Sequence, residues 1–287
     1  MLTLIISIAC SVAVSILLKL ARRHRLHIGQ AIAVNYAVAA GLCLLLLQPH
    51  PAQLLHQNSS WFVLIALGIL LPTVFLAMAA AVRHAGIVLS DAAQRLSLFL
   101  PLLASFLIFG QAPTSASLIG IVLAFSALGC LLARQQTSTD AVVAGPGAAA
   151  LLLAVWLGYG CIDILFKLLA KSGTGFGASL FAAFVLAGAL MLAGLLAART
   201  PWHARNIGAG LLLGLLNFGN IYFYIRAHQL FPDNPTLIFT AMNIGVIVLG
   251  TLAGTALFGE RPSRLNLAGV ILAIAAIMAL VLPAGAL

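Results

Sequence analysis

The chain has 287 residues, of which 63% are hydrophobic and 7% charged. A soluble domain carries about 45–50% apolar and about 25% charged residues, so a soluble globular enzyme, a disordered protein and a disulfide scaffold are excluded. The net charge of +9, from 14 Lys and Arg against 5 Asp and Glu, comes without any basic block long enough for a nucleic-acid-binding arm.

Apolar runs fall at 2–19, 28–47, 61–82, 86–109, 115–133, 147–168, 176–198, 206–227, 235–257 and 265–283. A spanning helix takes roughly 20 apolar residues, so ten of them use about 200 residues. The fold class expected is an all-α integral membrane protein with ten transmembrane helices. The first run begins at Met1-Leu2-Thr3 with no basic n-region, so it is expected to remain as a helix rather than to be cleaved. Arg22-Arg23-His24-Arg25 follows it directly and reads as a topology signal. Pro72 and Pro101 are predicted to kink the third and fourth helices. The longest polar stretch, Arg134 to Gly147, falls where a linker between halves would fall, placed at 136–146. Asn234-Pro235 reads as a cap and first-turn proline for the ninth helix. Cys10, Cys43, Cys130 and Cys161 all lie inside apolar runs. None is at metal or redox spacing, and they read as small packing residues.

An internal repeat organises these runs. Phe109-Gly110-Gln111-Ala112-Pro113 parallels Phe258-Gly259-Glu260-Arg261-Pro262, and in that register 109–124 matches 258–273 at seven of sixteen positions. Ile16-Leu17-Leu18-Lys19-Leu20 parallels Ile164-Leu165-Phe166-Lys167-Leu168 at almost the same offset. The two copies, 1–135 and 147–287, each hold five helices. Five is odd, so the second copy enters the membrane inverted, an arrangement typical of secondary transporters.

Two five-helix repeats, each with a Phe-Gly-(Glu/Gln)-x-Pro turn before its last helix, resemble the drug/metabolite transporter superfamily, EamA-like branch. Trp156 with Lys167 in the sixth helix is similar to that family's pattern too. The resemblance covers nearly the whole chain. The first copy departs from it, with Gln111 where the second copy has Glu260. It implies export or exchange of small metabolites, often amino acids, and both termini in the cytoplasm. Counting Lys and Arg gives a different side. Lys19, Arg22, Arg23, Arg25, Arg83, Arg134, Arg199, Arg205, Arg261 and Arg264 face Lys167, Lys171 and Arg226 across the membrane. The positive-inside rule then puts both termini outside.

Charges inside spanning helices mark pathways or pairs. Arg95 is about nine residues into the fourth run, roughly 13 Å at 1.5 Å per residue. Asp91 lies one turn earlier and Gln94 beside it. Arg95 either offers a guanidinium to a substrate carboxylate, with Asp91 orienting it or carrying a proton, or closes a pair with Asp91 that makes the helix tolerable in lipid. Asp163 and Lys167 repeat the spacing; Asp163 is a proton-coupling or charge-pair candidate, and Lys167 is expected to snorkel to the headgroups. Asn217 and Asn220 share a face of the eighth helix and either glue helices or line a cavity. The register equates Asn243 with Gln94, placing an amide at the same site in both copies. Tyr36, Trp156 and Tyr159 are deep aromatic candidates for substrate contact. Arg226 and His228 are expected at the interface.

The expected function is a secondary transporter of a small polar metabolite, an amino acid or a related compound, working by alternating access around a central cavity. A lipid-linked or nucleotide-sugar carrier, an intramembrane enzyme, a channel and a structural protein are the alternatives. No Gly-x4-Gly-Lys-Ser/Thr, His-Glu-x-x-His or Gly-x-Ser-x-Gly sequence occurs, so neither an ATPase nor a catalytic function is expected. No cofactor or metal is expected. The partners expected are the substrate, the bilayer of the bacterial inner membrane, and a proton or counter-substrate, with monomer and homodimer both open.

Overall fold

The computed structural model describes residues 1–24, 26–50, 61–85, 90, 93–132, 147–171, 176–258 and 264–281. Among them lie ten helices: α1 (Leu2–Arg23), α2 (Ile28–Leu47), α3 (Trp61–His84), α4 (Phe99–Leu107), α5 (Ser115–Leu132), α6 (Ala148–Lys171), α7 (Phe176–Ala197), α8 (Ala204–Leu230), α9 (Pro235–Phe258) and α10 (Arg264–Val281). No strand occurs among the described residues. In lipid every backbone N–H and C=O must be satisfied within the segment, which selects helices for runs this apolar. Six helices, α2, α3, α6, α7, α8 and α9, are long and apolar enough to cross a membrane. The protein is a helical multi-pass membrane protein.

Each apolar run coincides with one helix, except the fourth. There the expected continuous helix is interrupted. A helical turn at 93–96 ends in a break at Ser97 and Leu98, and α4 begins only at Phe99. The cause is Pro101. Its ring collides with the carbonyl four residues earlier and brings no N–H to bond it. That carbonyl belongs to Ser97, and it accepts instead from Leu100 N at 3.0 Å. The Ser97 hydroxyl turns back to the Gln94 carbonyl. Pro72 breaks nothing: α3 runs through it, and the Thr73 hydroxyl donates to Ile69 O at 2.7 Å.

The helices form two compact units. Unit 1 comprises 1–76 and 165–230, and unit 2 comprises 77–164 and 231–287. Each unit therefore takes segments from both halves of the sequence, and the divisions fall within α3 and α6. The expected linker, 136–146, lies outside the described residues.

In unit 1, α8 packs on α1 and α2, and α2 on α7. Gly210 and Gly214 make the first contact close. A Cβ on Gly210 would sit 2.8 Å from the Ala31 carbonyl oxygen, and one on Gly214 would sit 2.6 Å from Val38 Cβ. Small residues one turn apart let two backbones approach in this way. Gly68 of α3 does the same for α7, where its Cβ would meet Leu186 at 2.6 Å. In unit 2, α10 packs along α5 over a core of Ala124, Ala127, Ala273, Ala276 and Ile244. Helix α9 leans on α4, α5 and α10.

The turn after α4 is fixed by its sequence. Gly110 adopts φ +69°, a left-handed conformation that glycine takes without steric cost. The reversal delivers Phe109 and Gln111 to the start of α9. The Phe109 ring lies 6.4 Å from that of Phe239. Gln111 Oε1 accepts from Thr236 N at 3.1 Å and from the Thr236 hydroxyl at 2.7 Å. Asn234 caps α9 as expected, its Oδ1 accepting from Leu237 N at 3.3 Å. Its Nδ2 reaches the Leu280 carbonyl of α10 at 3.3 Å.

Candidate functional site

The residues singled out from the sequence fall into two groups, one in each unit. In unit 2, Gln94 and Arg95 occupy the turn before the break, and both are half-buried. Trp156 of α6 holds that turn in place. Its indole Nε1 donates to the Leu96 carbonyl at 3.0 Å. One turn further along α6, Gly160 receives Leu100, whose Cδ1 would lie 2.5 Å from any added Cβ. Trp156 and Gly160 share one face of α6, so the tryptophan and the notch together press α6 onto the two sides of the break. Tyr159 and Asp163 share a different face of α6 and are half-buried. Asn243 of α9 is half-buried too, with Nδ2 donating to the Phe239 carbonyl of its own helix at 3.1 Å. Asp91 lies outside the described residues, as does Glu260.

The break tightens the segment rather than opening it. Ser97 N bonds the Ala93 carbonyl at 3.2 Å, Leu98 N the Arg95 carbonyl at 3.2 Å and Leu100 N the Ser97 carbonyl at 3.0 Å, while the Gln94 and Leu96 carbonyls accept from the Ser97 hydroxyl and the Trp156 indole. The Arg95 guanidinium beside the break is a planar fork of a shape suited to a carboxylate. The indole of Trp156 spends its only donor on the backbone, so what it offers beyond that is ring surface.

In unit 1, Asn217 Nδ2 donates to Asn35 Oδ1 at 3.1 Å, and both residues are buried. Asn220 accepts from the Ser7 hydroxyl at 2.9 Å, through Oδ1 and through its carbonyl. The two asparagines share a face of α8 but bond to different helices, α2 and α1. Tyr36 is fully buried with its ring 6.3 Å from Phe184 of α7. At the end of the same unit, Gln30 and Asn206 form a buried amide pair. Gln30 Nε2 also donates to the Pro201 carbonyl, and Asn206 Oδ1 accepts from His27 N at 3.2 Å.

Two side chains differ from their expected places. Lys167, expected to snorkel, is 1% exposed, and His228, expected at the interface, is also 1% exposed. The helices run past the apolar stretches used to locate them: α6 continues to Lys171 and α8 to Leu230. Arg226 does stand exposed, donating to Gln229 at 3.0 Å. The available signal was the four-residue spacing of Tyr224 and His228, which brings their rings edge-on on one helix face, with centroids 4.8 Å apart.

No protein-family model matches the chain. A solved crystal structure aligns with 97% of this chain and 96% of its own at 15% identity and a TM-score of 0.72, a likeness of fold. An uncharacterized protein of Haemophilus influenzae is 50% identical over 286 residues, 96% of each chain. Identity at that level along nearly the full length of both proteins places them together: the chain belongs to the family of that Haemophilus influenzae protein.

Proposed function

We infer that the protein is a secondary transporter of the drug/metabolite transporter superfamily, EamA-like branch. It has ten spans in two inverted five-helix repeats and moves a small polar metabolite, an amino acid or a related compound, by alternating access. Its setting is the bacterial inner membrane. One observation carries the reading: Arg95 stands in an apolar segment directly before a helix break, and an indole from another helix fixes that turn. Transporters bind solutes and ions at such discontinuous helices. Arg95 takes the carboxylate, and Gln94 and Asn243 supply amides. Trp156 and Tyr159 supply ring surface. Asp163 and Asp91 serve proton coupling or a charge pair. Asn217, Asn220 and Tyr36 brace unit 1.

The pattern of packing supports the repeats. In the register of 109–124 with 258–273, α2 corresponds to α7, α4 to α9 and α5 to α10. Each of these pairs is in contact, as expected of helices near a two-fold axis. The contact of Gly68 with Leu186 also mirrors that of Gly214 with Val38: a glycine of α3 or α8 receives a branched side chain of α7 or α2.

The test is a metabolite profile of the medium from cells expressing the wild type, Arg95→Ala or an empty vector. The expected result is one amino acid or related compound accumulating with the wild type only, at equal protein levels. Identical profiles for wild type and empty vector overturn export. Full activity in Arg95→Ala removes the arginine from the site.

A further inference from the structure

Thr236, Thr240 and Asn243 share one face of α9. Thr236 opens that face with its two bonds to Gln111. Thr240, one turn deeper, is fully buried, and its hydroxyl has no hydrogen-bond partner among the described residues. Other helix hydroxyls of this chain bond back to a carbonyl one turn earlier. Thr251 of the same helix donates to Ile247 O at 2.8 Å, Ser105 of α4 to Pro101 O at 2.9 Å and Thr73 of α3 to Ile69 O at 2.7 Å. Back-bonding of this kind satisfies a hydroxyl within its own helix, and Thr240 departs from it. The residues bordering the face are apolar: Phe239, whose ring lies 6.4 Å from that of Phe109, and Ile244, packed in the alanine core of α5 and α10. A hydroxyl left unbonded in such surroundings is costly unless a solute bonds it. Asn243 offers a second free group. Its amide faces the Phe239 carbonyl at 3.1 Å. A carbonyl oxygen only accepts, so the atom facing it is Nδ2. Oδ1 is left over and accepts no bond among the described residues. Oδ1 can only accept, and the Thr240 hydroxyl can accept. The group that serves both is therefore a donor with several protons, and an ammonium carries three N–H.

We propose that Thr240 and Asn243 form an amine subsite on α9, with Thr240 Oγ1 and Asn243 Oδ1 accepting from the protonated amino group of the solute. The proposal rests on the transporter reading and deepens it. With Arg95 taking the carboxylate, Thr240 selects solutes that carry an ammonium as well, against the 2-hydroxy acid of the same skeleton, whose single O–H satisfies only one of the two acceptors. In the register of the repeats Thr240 corresponds to Asp91, Asn243 to Gln94 and Ile244 to Arg95. The α9 copy thus keeps the polar positions and drops the charges. Uncharged acceptors suit an ammonium whose counter-charge, the carboxylate, belongs to the same molecule. Thr240 is closed off in this conformation, so entry rests on the alternating motion of the transporter.

The experiment is a thermal-shift titration of the purified full-length protein in detergent. The probes are alanine, leucine, phenylalanine and glutamate, each beside the acid with a hydroxyl in place of the amine: lactate, 2-hydroxy-4-methylpentanoate, phenyllactate and 2-hydroxyglutarate. At least one amino acid raises Tm in the wild type, and its hydroxy analogue binds roughly tenfold or more weakly. Thr240→Val keeps the shape and removes the hydroxyl. It weakens the amino acid about tenfold and leaves the hydroxy acid nearly unchanged, without lowering the Tm of the unliganded protein, since it removes an unbonded polar group. Thr240→Ser, which keeps the hydroxyl, retains most of the affinity. The assignment is overturned if no amino acid raises Tm, if amino acid and hydroxy acid bind alike, or if Thr240→Val binds like the wild type. Should Thr240→Val fail to elute as a single species, Asn243→Ala decides: a smaller preference for the amine upholds the subsite and an unchanged one overturns it. The same preparations, reconstituted for counterflow, separate the two proposals. Amino-acid transport that Thr240→Val leaves unchanged removes the subsite and leaves the transporter. Thr240-dependent binding without transport removes the transporter and leaves the subsite.

Discussion

Gln111 accepts both hydrogen bonds that Thr236 offers, from its backbone N–H and from its hydroxyl. A residue in the turn after α4 thereby caps α9. It also donates to Asn234 Oδ1 at 3.4 Å, and Asn234 in turn reaches α10. The repeated Phe-Gly-(Glu/Gln)-x-Pro turn is in this instance a fastening between helices. Gln111→Ala removes these two bonds while Asn234 still caps α9, and should cost about 0.5–2 kcal/mol, the range for losing an N-terminal capping group. Gln111→Glu keeps the acceptor and loses only the donor to Asn234, so its melting temperature should fall less. A larger loss for the glutamate variant would show that the amide donor carries the contact.

The glycine faces make a second test. Gly210→Ala drives a methyl toward the Ala31 carbonyl oxygen and Val34, an overpacking that should cost about 1–3 kcal/mol. Gly41 also lies within a helix, with no neighbouring atom within 4 Å of an added Cβ. Gly41→Ala should therefore be neutral or gain up to about 1 kcal/mol, the helix-interior difference between the two residues. Thermal unfolding of the two variants in detergent checks the order.

The buried pair Asn35–Asn217 should show coupling. Single changes to Ala each strand a polar partner, at a cost of about 1–3 kcal/mol. A double-mutant cycle should return an interaction of roughly 0.6–1.7 kcal/mol, the scale found between helices in lipid. A coupling of zero would mean that the amides act independently.

Trp156→Phe keeps a ring and removes the bond to the Leu96 carbonyl. If Trp156 positions the Arg95 turn, substrate transport should fall while Trp202→Phe, at an exposed residue, transports normally. Equal transport by the two variants would reduce Trp156 to packing.

Much of the helical plan was legible because lipid leaves a chain few options: long apolar runs become helices, and turn residues separate them. Asn234-Pro235 was readable as a helix start for the same local reason. The break at Ser97 was half legible. Pro101 announced a disturbance, but hydropathy passes smoothly over 86–109 and hides where the helix stops. Lys167 and His228 were misplaced because sequence position gives depth along a helix and not which face meets a neighbour. The bonds of Asn217 to Asn35 and of Asn220 to Ser7 link residues about 180 and 210 positions apart. No local pattern encodes such partners.

The division of the chain between the units also sets an order of assembly during synthesis. Every segment of unit 1 has been synthesised once Leu230 is added, whereas unit 2 requires 231–287. The first half of the sequence completes neither unit, so its helices must wait in the bilayer for partners made later. A stop codon after Leu230 would spare all the segments of unit 1 and deny unit 2 both α9 and α10, leaving α5 without the helix packed along it. Nonsense changes early and late in this chain should therefore leave different debris for membrane proteases: loose helices in one case, and an intact set for one unit beside an unfinished one in the other.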